Sequence, residues 1–241
     1  MNGIMERFVR ECTQAKTKEA LVEQMRQARE ALGFDSFVYG GLGLPEPNWT
    51  YPEIPPVIHV EYPAEWVNRY AERGYLHSDP VIRAAPMETG EIVWSDLRTC
   101  TKREQTIMGE CREAGLCEGV TVPLHGPRGA MHMISYSGRQ PVQPDPFVRS
   151  CLKLMAVHFH TRYQELCNPA DPAEWRGALT YREREVLLWA ARGKSAWATG
   201  QILNVSENTV RFHMKNVLQK LDAGSKIVAV VKAISFGLID P

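Results

Sequence analysis

The chain has 241 residues, 44% of them apolar, with 28 basic and 28 acidic side chains, the composition of one large or two ordinary globular domains. No run of about 18 apolar residues occurs, and "MNGIMERFVRECTQ" lacks the basic-then-apolar order of an export signal, so a cytoplasmic protein with no membrane partner is expected. The six cysteines (Cys12, Cys100, Cys111, Cys117, Cys151, Cys167) form no CxxC and no Cys/His pair at zinc spacing, so neither disulfide nor metal nor other cofactor is expected.

The first predicted element is a long amphipathic helix over roughly Met5–Leu32. Strands follow in "SFVYGGLGL" and "PVIHVEY", joined through "GLPEPNWTYPEIPPV", whose five prolines make a long, stiff pocket cover. Residues 63–73 and 101–115 read as helices, "GVTVPLHG" and "GAMHMISYSG" as a hairpin, and about Pro146–Leu166 as a last helix. Strands adjacent in sequence, with helices before, among and after them, predict an α+β domain over residues 1–166, an α/β/α sandwich around an antiparallel sheet.

Within it, "YPAEWVNRYAERGYLHSDPV" sets Tyr62, Trp66 and Tyr70 on one helical face just ahead of Asp79. A carboxylate among aromatics needs a donor, because an unpaired buried charge is expensive. No arginine or lysine stands at a spacing that supplies one. Either Asp79 caps a backbone amide, or it waits for a donor carried by a ligand.

"CNPADPAEWRGA" holds two prolines between strongly helical patterns and reads as a linker over 167–177. From Arg176 to the end there are 10 Lys/Arg against 5 Asp/Glu, leaving 18 against 23 before it. A small basic unit, residues 178–241, is thus joined to a larger acidic one, and the usual partner of such a unit is a polyanion. Thr180-Tyr181-Arg182-Glu183 is a capping box for a helix stopped by Gly193. Ser195 caps a second, short helix ending near Leu203, and Asn204-Val205 turn tightly. Ser206 caps a third helix to about Asp222, with Gly224 as its left-handed terminus, and a fourth runs from Ser225 to Phe236. This is an all-α, four-helix, helix-turn-helix unit. On its third helix Val210, Met214, Val217, Leu218 and Leu221 form a core stripe, while Asn208, Arg211, Phe212, Lys215 and Gln219 gather on the free side. Arg211 and Lys215 sit where a recognition helix reaches base edges. "GKS" at 193–195 is no phosphate-binding P-loop, since Leu188 stands where that loop needs glycine and a helix precedes it.

The stretch "LTYREREVL…GKS…VSENTVRFHMKNVLQKLDAGSKIVAVVKAISFGLI" resembles the DNA-binding domain of LuxR-type transcription regulators. It departs at Ala198-Thr199-Gly200, where the family usually carries Glu-Ile-Ala, which suggests a weaker second helix. The resemblance implies Arg211 and Lys215 as base readers, with Lys194, Ser195, Asn208, Thr209 and Asn216 also at the DNA. "YPAEWVNRY", then "SDP", then "GLCEGVTVPLHGPRGAMHMISYS" resembles the ligand domain of the acyl-homoserine-lactone receptors of that type. By that resemblance Trp66 donates to the lactone carbonyl, Asp79 accepts the ligand's amide N–H, and Tyr62 and Ser135 bind the acyl carbonyl. Tyr70, Ile82, Trp94, Leu116, Gly119 and Met133 would form walls, and His59, His132 or Tyr136 could meet a hydroxyl on the acyl group. Val67 and Met133 suit a short, unsubstituted or flat aromatic acyl chain.

The expected function is a homodimeric, ligand-responsive regulator of a palindromic DNA site, its dimer contacts made by Ile227, Val231 and Ile234 with the 146–166 helix. A ligand-independent regulator is the alternative. A lactone or amide hydrolase lacks any GxSxG element or His/Asp metal cluster, so no enzyme is expected.

Overall fold

The computed structural model describes residues 2–42, 57–126, 130–140, 144–167, 179–235 and 237–240. The proline-rich cover and most of the linker lie outside the described residues. The chain divides into two compact units, up to Asn168 and from Pro169.

The first unit opens with α1 (Asn2–Gln14) and α2 (Lys18–Ala31), not the single helix expected from the pattern. Thr17 causes the break: its backbone is extended and its side chain accepts from the Ala20 amide, starting a second helix with its own cap. Next come β1 (Ser36–Gly41), β2 (Val57–Val60), α3 (Ala64–Glu72), α4 (Pro80–Ala84), β3 (Ile92–Val93), α5 (Lys102–Glu113), β4 (Glu118–His125), β5 (Met131–Gly138) and α6 (Pro146–Cys167). The sheet order is β2-β1-β5-β4-β3 with every neighbouring pair antiparallel.

Alternation along the strands divides the sheet into two faces. On one, Phe37, Tyr39, Val120, Val122, Ile134 and Tyr136 pack with Phe8 of α1, Leu21 and Met25 of α2, and Leu152, Met155 and Phe159 of α6. On the other, Val38, Gly40, Met133 and Ser135 face a space bounded by α3, α4 and α5. His59, His132 and Tyr136 belong to the first face, so none can meet an acyl group in that space. His59 lies 4.7 Å from the Phe37 ring and bonds Glu61. His132 stacks on Tyr39 and lies 4.7 Å from the tilted His160 ring of α6, and Tyr136 donates to the Leu152 carbonyl at 3.2 Å.

The second unit holds α7 (Tyr181–Ala191), α8 (Ala196–Leu203), α9 (Glu207–Lys220) and α10 (Lys226–Ser235). Its caps are those expected. Thr180 and Glu183 close a capping box, Ser195 accepts from Ala198 and Ser206 from Thr209, and Asn204 is left-handed. At the end of α9 the left-handed residue is Asp222 (φ 47°), not Gly224. The helix stops at Lys220, so the reversal falls two residues early, on a residue whose short polar side chain tolerates it. Gly200 serves packing: a Cβ there would lie 2.7 Å from the Val205 carbonyl oxygen, so glycine lets the turn close onto α8. Leu187, Val217, Leu221, Ala229 and Ala233 form the core.

Candidate ligand cavity and nucleic-acid face

Between the sheet and α3–α5 lies a cavity of about 320 Å³. Of the expected ligand residues, Tyr62, Trp66, Tyr70, Asp79, Ile82, Trp94, Met133 and Ser135 all line it, as does Val67. Leu116 does not. It is buried in the cluster that backs the wall, with Trp94 and Ile107. Gly119 works from behind: a Cβ on it would fall 2.4 Å from Trp94 Cδ2, so only glycine lets that indole lie flat on β4.

Asp79 is both cap and cavity residue. Its Oδ1 accepts from the Val81 amide at 2.8 Å and opens α4, while Oδ2 accepts from the Tyr70 hydroxyl at 2.8 Å. A carboxylate has about four acceptor sites, so capacity remains toward the cavity. Burial pushes the Asp79 carboxyl above its ordinary range, opposed by the Tyr70 hydroxyl and the Val81 and Ile82 amides. Burial and the neighbouring Asp79 charge push the Tyr70 phenol up in turn. The Tyr62 hydroxyl is wholly buried beside Ser135, with which it interacts without a hydrogen bond of regular geometry. Among the described residues no hydrogen bond engages the Trp66 indole, which lies edge-on to Tyr70 at 5.7 Å. The Cys111 thiol also lines the cavity and is pushed up by burial, then by Asp79.

Sequence reasoning missed Thr121. It is wholly buried, accepts the Trp94 indole N–H at 2.9 Å, and stands 2.8 Å from Ser135 Oγ. The signal available was register: the hairpin "GVTVPLHG…GAMHMISYSG" sets Thr121 opposite Ser135 once its turn is placed.

In the second unit Asn208, Arg211, Phe212, Lys215 and Gln219 are all exposed on α9, with Val210, Val217 and Leu221 buried beneath. Among the described residues Asn208 and Lys215 make no side-chain hydrogen bond, whereas Arg211 is held by Glu207 through Nε and Nη2. Thr209 and Asn216 are half-buried on the flanks. Lys194, Arg211, Lys215 and Lys226 rim one hollow, and Ser195 Oγ accepts from the Ala198 amide, which leaves its O–H to donate. Among the described residues no group of three or more His, Cys, Asp or Glu could hold a metal, and no helix is long and apolar enough to cross a membrane.

A small-molecule cavity in one unit and a helix-turn-helix in the other define the class, a ligand-sensing DNA-binding regulator. Residues 17–163 match the autoinducer binding domain family, and residues 177–233 match the bacterial regulatory proteins of the luxR family. The chain belongs to this family of transcription regulators and is not an enzyme. It is 41% identical over 184 residues to the putative HTH-type transcriptional regulator y4qH of Sinorhizobium fredii, a match covering 75% of this chain and about half (56%) of that relative. It is 34% identical over 223 residues to the quorum sensing-dependent transcriptional regulator RpaR of Rhodopseudomonas palustris, covering 91% of this chain and 88% of that one. The crystal structure of Escherichia coli SdiA superposes with a TM-score of 0.73 at 26% identity over 98% of both chains. SdiA in complex with octanoyl-rac-glycerol gives 0.72 at 25% identity, over 98% of this chain and 96% of that one.

Proposed function

We propose that this protein binds an N-acyl-homoserine lactone in the first unit and, as a homodimer, a palindromic DNA site through the second. The domains are then 1–166 for the ligand and 178–241 for DNA, joined by 167–177. The supporting observation is a cavity whose polar groups keep unused capacity, with an acceptor at Asp79 and donors at Trp66 and Tyr62, facing otherwise apolar walls. An N-acyl lactone carries one amide N–H and two carbonyls, which answers that set group for group. SdiA with octanoyl-rac-glycerol and the quorum sensing-dependent RpaR support the reading. Val67 and Met133 on the wall favour a short or flat aromatic acyl chain. On α10, Ile227 and Val231 are exposed and suit a dimer contact, whereas Ile234 packs into its own core and does not.

The test is thermal unfolding across a concentration series of N-butanoyl- and N-benzoyl-homoserine lactone, for wild type and Asp79→Asn. Asparagine keeps the cap but loses the charge, so binding should weaken by about 1.5–3 kcal/mol and the ligand-induced shift should shrink accordingly. Equal shifts in both proteins would remove Asp79 from the ligand. For the second unit, Arg211→Ala should cost about 1–3 kcal/mol of discrimination in gel-shift titration against a two-fold symmetric site, with the ligand-induced shift unchanged.

A further inference from the structure

Thr121 joins two residues on which the cavity depends. It lies on β4 directly opposite Ser135 on β5 and is itself wholly buried, behind the cavity surface. Its Oγ1 accepts from the Trp94 indole N–H and contacts Ser135 Oγ. The proton directions follow from what each group can do. An indole N–H only donates, so it occupies one lone pair of Thr121 Oγ1. Were Ser135 to donate to Thr121 as well, the threonine's own proton would face no acceptor in a buried position, at a cost of about 1–3 kcal/mol. If Thr121 donates to Ser135, all three groups are satisfied and the Ser135 proton is directed to the cavity side, where the Tyr62 hydroxyl also stands.

We propose that Thr121 is a positioning residue for ligand recognition: backed by Trp94, it fixes Ser135 as a hydrogen-bond donor into the cavity, so that the site selects a ligand with an acceptor at that point. The order is Trp94 N–H to Thr121, Thr121 O–H to Ser135, Ser135 O–H to the ligand. The Tyr62 hydroxyl beside Ser135 adds a second donor for the two lone pairs of one carbonyl oxygen. An ether-linked or reduced chain without that oxygen would leave both donors stranded. The inference rests on the proposed function, since the acceptor it names is the acyl carbonyl of the lactone.

A double-mutant cycle tests it, with calorimetric titration of N-butanoyl- and N-benzoyl-homoserine lactone into wild type, Thr121→Val, Ser135→Ala and the double variant. Thr121→Val keeps the shape and loses the hydroxyl, so it and Ser135→Ala should each weaken binding about five- to tenfold. The double variant should bind no more weakly than Ser135→Ala, because Thr121 acts only through Ser135. Thr121→Ser, which keeps the hydroxyl, should stay within about twofold of wild type. Trp94→Phe probes the same chain without touching Thr121, and its loss should likewise shrink in the Ser135→Ala background. Additive losses, or no loss in Thr121→Val, overturn the proposal and leave Thr121 a packing residue. A wild type that binds neither lactone instead overturns the proposed function.

Discussion

The two faces of the one five-stranded sheet are built from alternate residues of the same strands, yet they end differently. On the α1/α2/α6 side, Phe37, Tyr39, Ile134, Tyr136, Leu152 and Phe159 are almost wholly buried. The phenol tips there are spent internally: Tyr136 on the Leu152 carbonyl, Tyr39 on His160 Nδ1 at 2.7 Å. On the α3–α5 side the walls are as apolar, but about 320 Å³ stays open and, among the described residues, the Trp66 indole N–H makes no hydrogen bond. A core closes its hydrogen bonds on itself, whereas a binding cavity leaves them for a visitor, and a strand can serve both because its side chains alternate.

Removing a large side chain from the closed face should break this contrast most severely. Phe159→Ala should cost about 3–5 kcal/mol, the transfer free energy of the ring plus the void it leaves. Ligand should raise the unfolding temperature of the variant as much as that of wild type, since the loss lies on the other face. Denaturant unfolding with and without ligand checks this, and a loss below about 1 kcal/mol would mean that the closed face is not close-packed.

A smaller effect, of the opposite kind, is expected at Gly119. Its added Cβ in Gly119→Ala would strike the Trp94 ring, and overpacking of this sort costs about 1–3 kcal/mol. Because Trp94 lines the cavity, its displacement should also weaken lactone binding, so that stability and ligand response fall together. A variant that loses stability but keeps wild-type affinity would detach Trp94 from the ligand wall.

The same contrast decides what was legible in the sequence. The helix-turn-helix unit could be read almost residue by residue, because caps such as Thr180, Ser195 and Ser206 act on amides two or three positions away. Less legible there are the left-handed residue, Asp222 rather than Gly224, because a short polar side chain tolerates that conformation as glycine does, and Ile234, which packs into its own core. The break at Thr17 was missed because an apolar period carried across it outweighed one capping threonine. In the cavity, chemistry joins residues far apart in sequence. Trp94 and Thr121 are 27 positions apart and Thr121 and Ser135 are 14, and a threonine on a strand reads simply as a β-branched residue. Leu116 is buried beside the wall and is not among the residues that line the cavity: apolar pattern marks burial without saying which side of a wall is buried.

The smallest expected effect lies in how the two faces titrate. His160, on α6 between Tyr39 and His132, has its pKa lowered from 6.5 to about 4, chiefly by burial and then by the field of His132. The unfolded chain therefore binds a proton that the folded one refuses. His160 contributes stability that is fully present above pH 6.5 and is lost as the pH falls from there to about 4. Allowing for the half-exposed ring, the loss should be about 1–2 kcal/mol. On the open face the sign is reversed. The Asp79 carboxyl is raised from 3.8, so its contribution is fully present below that value and is lost as the pH climbs through the raised pKa. A ligand N–H on Asp79 favours the charged form and should remove this opposing trend, making stability rise more steeply with pH when lactone is bound. Thermal unfolding at a series of pH values from 4 to 7, with and without N-butanoyl-homoserine lactone, separates the two. His160→Gln keeps an acceptor for Tyr39 but does not titrate, and should flatten the slope in the unliganded protein while leaving the ligand-induced steepening intact. An unflattened slope in that variant would assign the acid loss to groups other than His160.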